Sequence, residues 1–140
     1  MSRKNEQRLF DRLKRNWTTV HLTRLETRVN LGIPDLLVAL PNSHFVLIEL
    51  KVVSAGLKIN LSPHQYAFHM KHAALGCPTF VVVEVNTKVR APELLLFTGG
   101  QVLDIAKRGI MADCVARWPL SKINWEEFHE KVLQTPEAVL

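Results

Sequence analysis

Apolar positions recur along this chain with different periods, and each period names an element. Leu9 and Leu13 stand at i,i+4 within the polar segment 2–16, which predicts a helix with a narrow apolar stripe. Residues 18–22 are β-branched enough for a short strand, and 24–31 lead on from it. Residues 35–40 and 45–52 are two apolar runs about Pro41-Asn42-Ser43, the pattern of an antiparallel hairpin. Ser62 as N-cap, Pro63 at the first helical position, Gly76 just past the end and Pro78 beyond it delimit a helix over 63–75. Its predicted buried stripe is Tyr66, Met70, Ala73 and Ala74, with Gln65, His69 and His72 on another face and the two histidines exposed. Residues 79–85 are apolar without a break, as in a strand covered on both sides, reached by a right-handed parallel crossover. Further on, the pattern predicts a hairpin of 93–97 and 101–105 about Thr98-Gly99-Gly100, helices near 106–118 and 125–134, and a partly disordered tail from Thr135.

Composition places these elements in one domain over 1–140, since 140 residues with 47% hydrophobic content suffice for one core. No apolar run is long enough for a membrane helix, and the charged N-terminus is not followed by the apolar segment of a signal peptide. A soluble, cytoplasmic protein is therefore expected. Cys77 and Cys114 have no metal-type spacing and are expected to be buried free thiols. Trp118, Trp125 and Phe128 read as core or subunit contacts, because no basic residues interleave with them as in a base-stacking surface. A net charge of +5 favours a polyanionic partner. Many of the cations, Arg24 and Arg28 among them, precede residue 32, and Lys51 and Lys58 follow. Arg24, Arg28 and Lys58 are candidate phosphate contacts or ordinary surface charges.

Three charges break the apolar strands: Asp35 in Gly32-Ile33-Pro34-Asp35, and, fourteen positions later, Glu49 and Lys51 in Ile48-Glu49-Leu50-Lys51. Buried charges need a partner or a metal. Alternation puts Glu49 and Lys51 on one face of their strand. Asp35 joins them only if opposed residues of the hairpin sum to an even number, which requires an odd-length loop or a bulge near 41–44. Two carboxylates would then converge as hard oxygen ligands for Mg²⁺ or Mn²⁺, with the Lys51 ammonium beside them. Such a site suits phosphodiester hydrolysis, the metal acidifying a water and the lysine orienting it or stabilising developing charge.

Pro34-Asp35 followed by Glu49-Leu50-Lys51 resembles the PD-(D/E)xK nuclease superfamily. With Gly32-Ile33-Pro34-Asp35-Leu36, Ile48 to Lys51, Leu61-Ser62-Pro63-His64-Gln65 and Gly76, the resemblance extends to VRR-NUC and similar phage nucleases and to archaeal-type Holliday junction resolvases, over about 28–85. It implies an α/β fold with a restriction-endonuclease-like core, a mixed central sheet flanked by helices. It also implies a metal held by Asp35, Glu49 and the Leu50 carbonyl, catalysis assisted by Lys51, and a glutamine, here Gln65, reaching the site from the helix after the catalytic strand. A further acid comes from an N-terminal helix in these nucleases. Glu6 fits that place and equally fits a solvated helix glutamate, and Glu26 competes with it. The implied activity is a Mg²⁺- or Mn²⁺-dependent endonuclease acting on branched DNA, a Holliday junction resolvase working as a homodimer, of phage or prokaryotic origin. The alternatives are a flap or single-strand endonuclease of the VRR-NUC kind and a nucleic-acid-binding module that does not cut.

Overall fold

The computed structural model describes residues 2–26, 31–41 and 44–134; Arg28, residues 42–43 and the tail from 135 lie outside them. In chain order the elements are α1 (Ser2–Asn16), β1 (His21–Arg24), β2 (Leu36–Leu40), β3 (His44–Val53), α2 (Pro63–Ala74), β4 (Thr79–Val85), β5 (Glu93–Thr98), α3 (Val102–Arg108), β6 (Ala116–Pro119) and α4 (Trp125–Leu133). The six strands form one mixed sheet in sequence order, with β3–β4 parallel and every other pairing antiparallel. The fold is α/β, a sheet flanked by helices.

Each face of the sheet has its own core. Even positions of β2 and β3, with Phe80, Val82, Leu94 and Leu96, meet Leu9, Leu13 and Trp17 of α1 and Phe128 and Val132 of α4. Leu9 and Leu13, the predicted stripe, are fully buried, each contributing about 1.5–3 kcal/mol of apolar transfer. Val81, Val83, Val85, Leu95 and Phe97 face the other way, toward Val102 and Ile105 of α3 and the partly buried Tyr66 of α2. All seven residues of β4 are buried, as its unbroken apolar run predicts.

The structure corrects several expectations. On α2 the buried residue is His69, whereas Met70 and Ala74 are exposed. The helix lies over β4 and the turn before α3, and that turn presents bare glycine backbone that admits an imidazole. Thr98-Gly99-Gly100-Gln101 is no hairpin tip: the Gln101 Oε1 accepts from the Thr98 N–H at 3.0 Å and starts a 3-10 turn leading into α3. Residues 106–118 are not one helix, because α3 stops at Gly109 (φ +55°), where a Cβ would sit 1.9 Å from the Leu57 carbonyl oxygen; the chain then returns as β6 beside β5. The first strand is His21–Arg24 rather than 18–22, since its extent is set by the partner residues 36–39 on β2. Cys77 is exposed and Cys114 half-buried, so neither is a core thiol. Trp118 and Phe128 are buried and Trp125 partly so. No helix among the described residues is long and apolar enough to cross a membrane.

Candidate active site

The hairpin β2–β3 pairs Leu36 with Ile48 and Leu40 with His44, leaving three residues, 41–43, between the last partners. The sums are even, the condition for a shared face. Continued one step beyond the ladder, this register sets Asp35 against Glu49 and Pro34 against Leu50. The backbone of Asp35 is held by the Leu25 N–H, which donates to its carbonyl at 2.8 Å. Its side chain does what a continued strand would do: Oδ2 accepts from the Leu50 N–H at 2.8 Å. A strand residue sends its N–H and C=O to the same side, so the Leu50 carbonyl also points toward Asp35, where the opposing proline has no N–H to give it.

Glu49 is 2% exposed. Its Oε2 accepts from Gln65 Nε2 at 3.1 Å and lies 3.8 Å from Lys51 Nζ, while Oε1 is buried without a hydrogen-bond partner. Burial raises its pKa well above the usual carboxylate range; the neighbouring Asp35 carboxyl pushes the same way, and Lys51 opposes them. Gln65 is fixed by its other end, because its Oε1 accepts from the Ser62 N–H at 2.9 Å while its own N–H donates to Ser62 Oγ at 3.2 Å. This capping box makes the helix start and the site partner one residue.

Glu6 of α1 is within electrostatic range of the cluster. Its pKa is raised by burial and then by Asp35, with Lys51 and Arg24 acting against the shift. Glu6 is also among the charges acting on Glu49, whereas the exposed Glu26 is not. Arg24 is exposed, hydrogen-bonds Gln7 Oε1 and lies 4.9 Å over the Phe10 ring, on the α1 side beside Glu6. Lys58 is not brought to the cluster: it lines a cavity of ≈ 410 Å³ against α3 and is not among the charges acting on Glu6 or Glu49.

Sequence reasoning missed how α2 is docked. Gly32 has φ +76°, and a Cβ there would lie 2.2 Å from the His64 carbonyl oxygen. This glycine lets the backbone approach the first turn of α2, which brings the Asp35 strand and Gln65 together. The buried His69 was missed too; its Nδ1 is 2.9 Å from Thr79 Oγ1, and burial lowers its pKa to about 4, with lesser effects from His72 and Lys51.

Among the described residues no three His, Cys, Asp or Glu side chains already close on a common point. The donor set nevertheless fits a hard divalent ion. It offers two converging carboxylates, one with a buried, unpartnered oxygen, and Mg²⁺ commonly takes one or two carboxylates and keeps several waters.

No protein-family model matches the chain, and no curated protein matches it. Among solved structures, one from Archaeoglobus fulgidus described as Hjc, a Holliday junction resolvase from an archaeal hyperthermophile, is similar at a TM-score of 0.43 and 15% identity, covering 70% of this chain and 78% of that chain.

Proposed function

We propose that this protein is a metal-dependent endonuclease that hydrolyses phosphodiester bonds in branched DNA, with Asp35, Glu49 and the Leu50 carbonyl as metal ligands. The observation that carries the reading is the Glu49 carboxylate, buried beside Asp35 with one oxygen unpartnered. A buried acid with one oxygen unsatisfied destabilises the fold and repels phosphate, so a structural or purely binding role leaves it unexplained. A bound Mg²⁺ or Mn²⁺ would supply charge neutralisation at the phosphate and a more acidic water. The chain's own residues do the rest. Asp35 is aimed by the Leu50 N–H, and Gln65 fixes the Glu49 rotamer by donating to Oε2. Lys51, partly buried, places its Nζ 3.8 Å from Glu49, where it can donate to a water or to a phosphate oxygen. Glu6, half-buried within electrostatic range of Asp35 and Lys51, is a further acid available to the water shell. Arg24, beside Glu6, and Arg28 and Lys58 are proposed phosphate contacts. Branched DNA as substrate comes from the resemblance of the Gly32 to Leu36 and Ile48 to Lys51 segments to junction-cutting nucleases.

The test is cleavage of labelled four-way junction, flap, linear duplex and single-stranded DNA in Mg²⁺, Mn²⁺ or chelator, with folding of each variant followed by circular dichroism. Paired cuts in the junction are expected, absent in chelator, and Lys51→Ala should lower the rate by roughly 10²–10⁴-fold. Preference for flap or single strand would keep the site and change the substrate. Binding without cutting in any metal would defeat the catalytic reading.

A further inference from the structure

We propose that a polar groove at the carboxyl ends of β3 and β4 binds the phosphate backbone of the nucleic acid on the far side of β3 from Glu49 and Lys51. This deepens the reading above and takes its ligand class from it. Two cavities of ≈ 340 and ≈ 350 Å³ adjoin there and share Ser54, Thr87 and Lys88. Asn5, Arg8 and Asn86 extend the first, while the second opens past Gly56, where a Cβ would meet nothing within 4 Å. Cations, hydroxyls and amides are the side chains that contact phosphate and sugar without reading sequence.

Three features make this more than a polar surface. The Glu84 carboxylate, which also lines the first cavity, lies 3.5 Å from Arg12 Nε, so its charge is offset and Arg8 and Lys88 leave the groove positive. Arg8 is oriented by a hydrogen bond to Asn5 Oδ1. Thr87 is 8% exposed and lines both cavities, yet its Oγ1 is buried without a hydrogen-bond partner; a hydroxyl can donate to a phosphate oxygen. The groove also shares its supports with the catalytic cluster. Asn5 precedes Glu6 on α1, and Val52 follows Lys51 on β3. A strand lying in the groove would thus be tied to the elements that carry the acids.

The experiment is fluorescence anisotropy of fluorescein-labelled four-way junction and single-stranded DNA in chelator, at a series of NaCl concentrations, beside cleavage in Mg²⁺. Wild type is compared with Arg8→Ala, Lys88→Ala, Thr87→Val and, as a control, Lys122→Ala on the exposed turn before α4. Arg8→Ala and Lys88→Ala should each weaken binding and lower the slope of log K against log salt by about one. Thr87→Val should weaken binding without changing the slope, and without lowering the melting temperature, because it removes an unsatisfied hydroxyl. Lys122→Ala should change neither. If wild type cuts DNA while the three groove variants bind like wild type, the groove proposal fails and the nuclease stands. If the variants weaken binding but wild type cuts nothing, the groove stands and the nuclease reading fails. Absence of binding to either DNA in wild type overturns the groove.

Discussion

A carboxylate taken out of water keeps its charge only where something offsets the lost hydration, and Glu49 has for this a lysine 3.8 Å away and one amide. Its raised pKa has a definite sign in linkage. A group whose pKa is higher in the folded state stabilises the fold below its unfolded value, here 4.5, and that contribution drains away as pH rises. In chelator, wild type should therefore lose stability between pH 6 and pH 8 relative to Glu49→Gln, and Mg²⁺ should narrow the gap by giving the charge a partner. Thermal melts of the two proteins at these pH values decide it, and parallel curves in chelator would show that the buried charge carries no penalty. Gln65 permits a cleaner separation of fold from chemistry. Gln65→Glu keeps the carboxyl oxygen that accepts from the Ser62 N–H, so the helix cap survives, yet it sets a third acid against Glu49. At pH 5, where the two carboxyls can share a proton, the melting temperature should hardly change, while kcat falls roughly 10–100-fold, the usual effect of losing a group that orients a metal ligand. A variant that keeps the wild-type kcat would mean that Gln65 matters only as a cap.

Elements inherit these constraints through docking, and α2 is the instructive one. Its ends and its N-cap were legible because Ser62, Pro63 and Gly76 act locally. Its buried face was not, because a count of apolar side chains favours Met70 and Ala74, whereas the sheet and the 3-10 turn at Gly99 receive His69. A signal did exist at that turn: Thr98-x-x-Gln101 repeats the spacing of Ser62-x-x-Gln65, and both start helical turns. The adjacent Gly99-Gly100 invited a hairpin instead. β6 was hidden for another reason, since four residues beside an existing edge are made a strand by their partner rather than by their own pattern. His69 gives this packing a pH signature. Its pKa, near 4 folded against 6.5 free, means that the unfolded chain binds the extra proton between those values, so stability falls on acidification through that window by roughly 1.4 kcal/mol per pH unit at most. His69→Leu should flatten that acid slope in denaturant titrations at pH 7 and pH 5; an unchanged slope would place the acid sensitivity elsewhere. Gly32→Ala tests the other docking contact. At φ +76° with 2.2 Å to the His64 carbonyl, it should cost about 2–4 kcal/mol and loosen Gln65 from Glu49, read as a lower melting midpoint together with lower activity.

At the scale of the molecule, the pattern of the chain yielded the order α1, hairpin, α2, β4 and the condition under which Asp35 meets Glu49, an odd-length loop, which residues 41–43 satisfy. It did not yield which surface meets substrate, since that depends on where loops far apart in sequence come together, as Ser54 and Thr87 do. The same limit applies to assembly. Each chain carries one Asp35–Glu49–Lys51 cluster, so two symmetric incisions across a junction need either two chains at once or two successive visits by one. The homodimer that the resemblance implies corresponds to the first case, and mixed subunits separate the two. When wild type is mixed with excess Glu49→Gln protein and allowed to exchange subunits, hybrids should cut one strand and leave the opposite strand intact. Nicked junction should then accumulate in place of resolved duplexes, whereas wild type alone should pass through the nick too briefly for it to build up. A monomer acting twice would give resolved product from the same mixture in proportion to the wild-type concentration, with no excess of nicks. Sedimentation of the free protein at the assay concentration supplies the independent mass that either outcome requires.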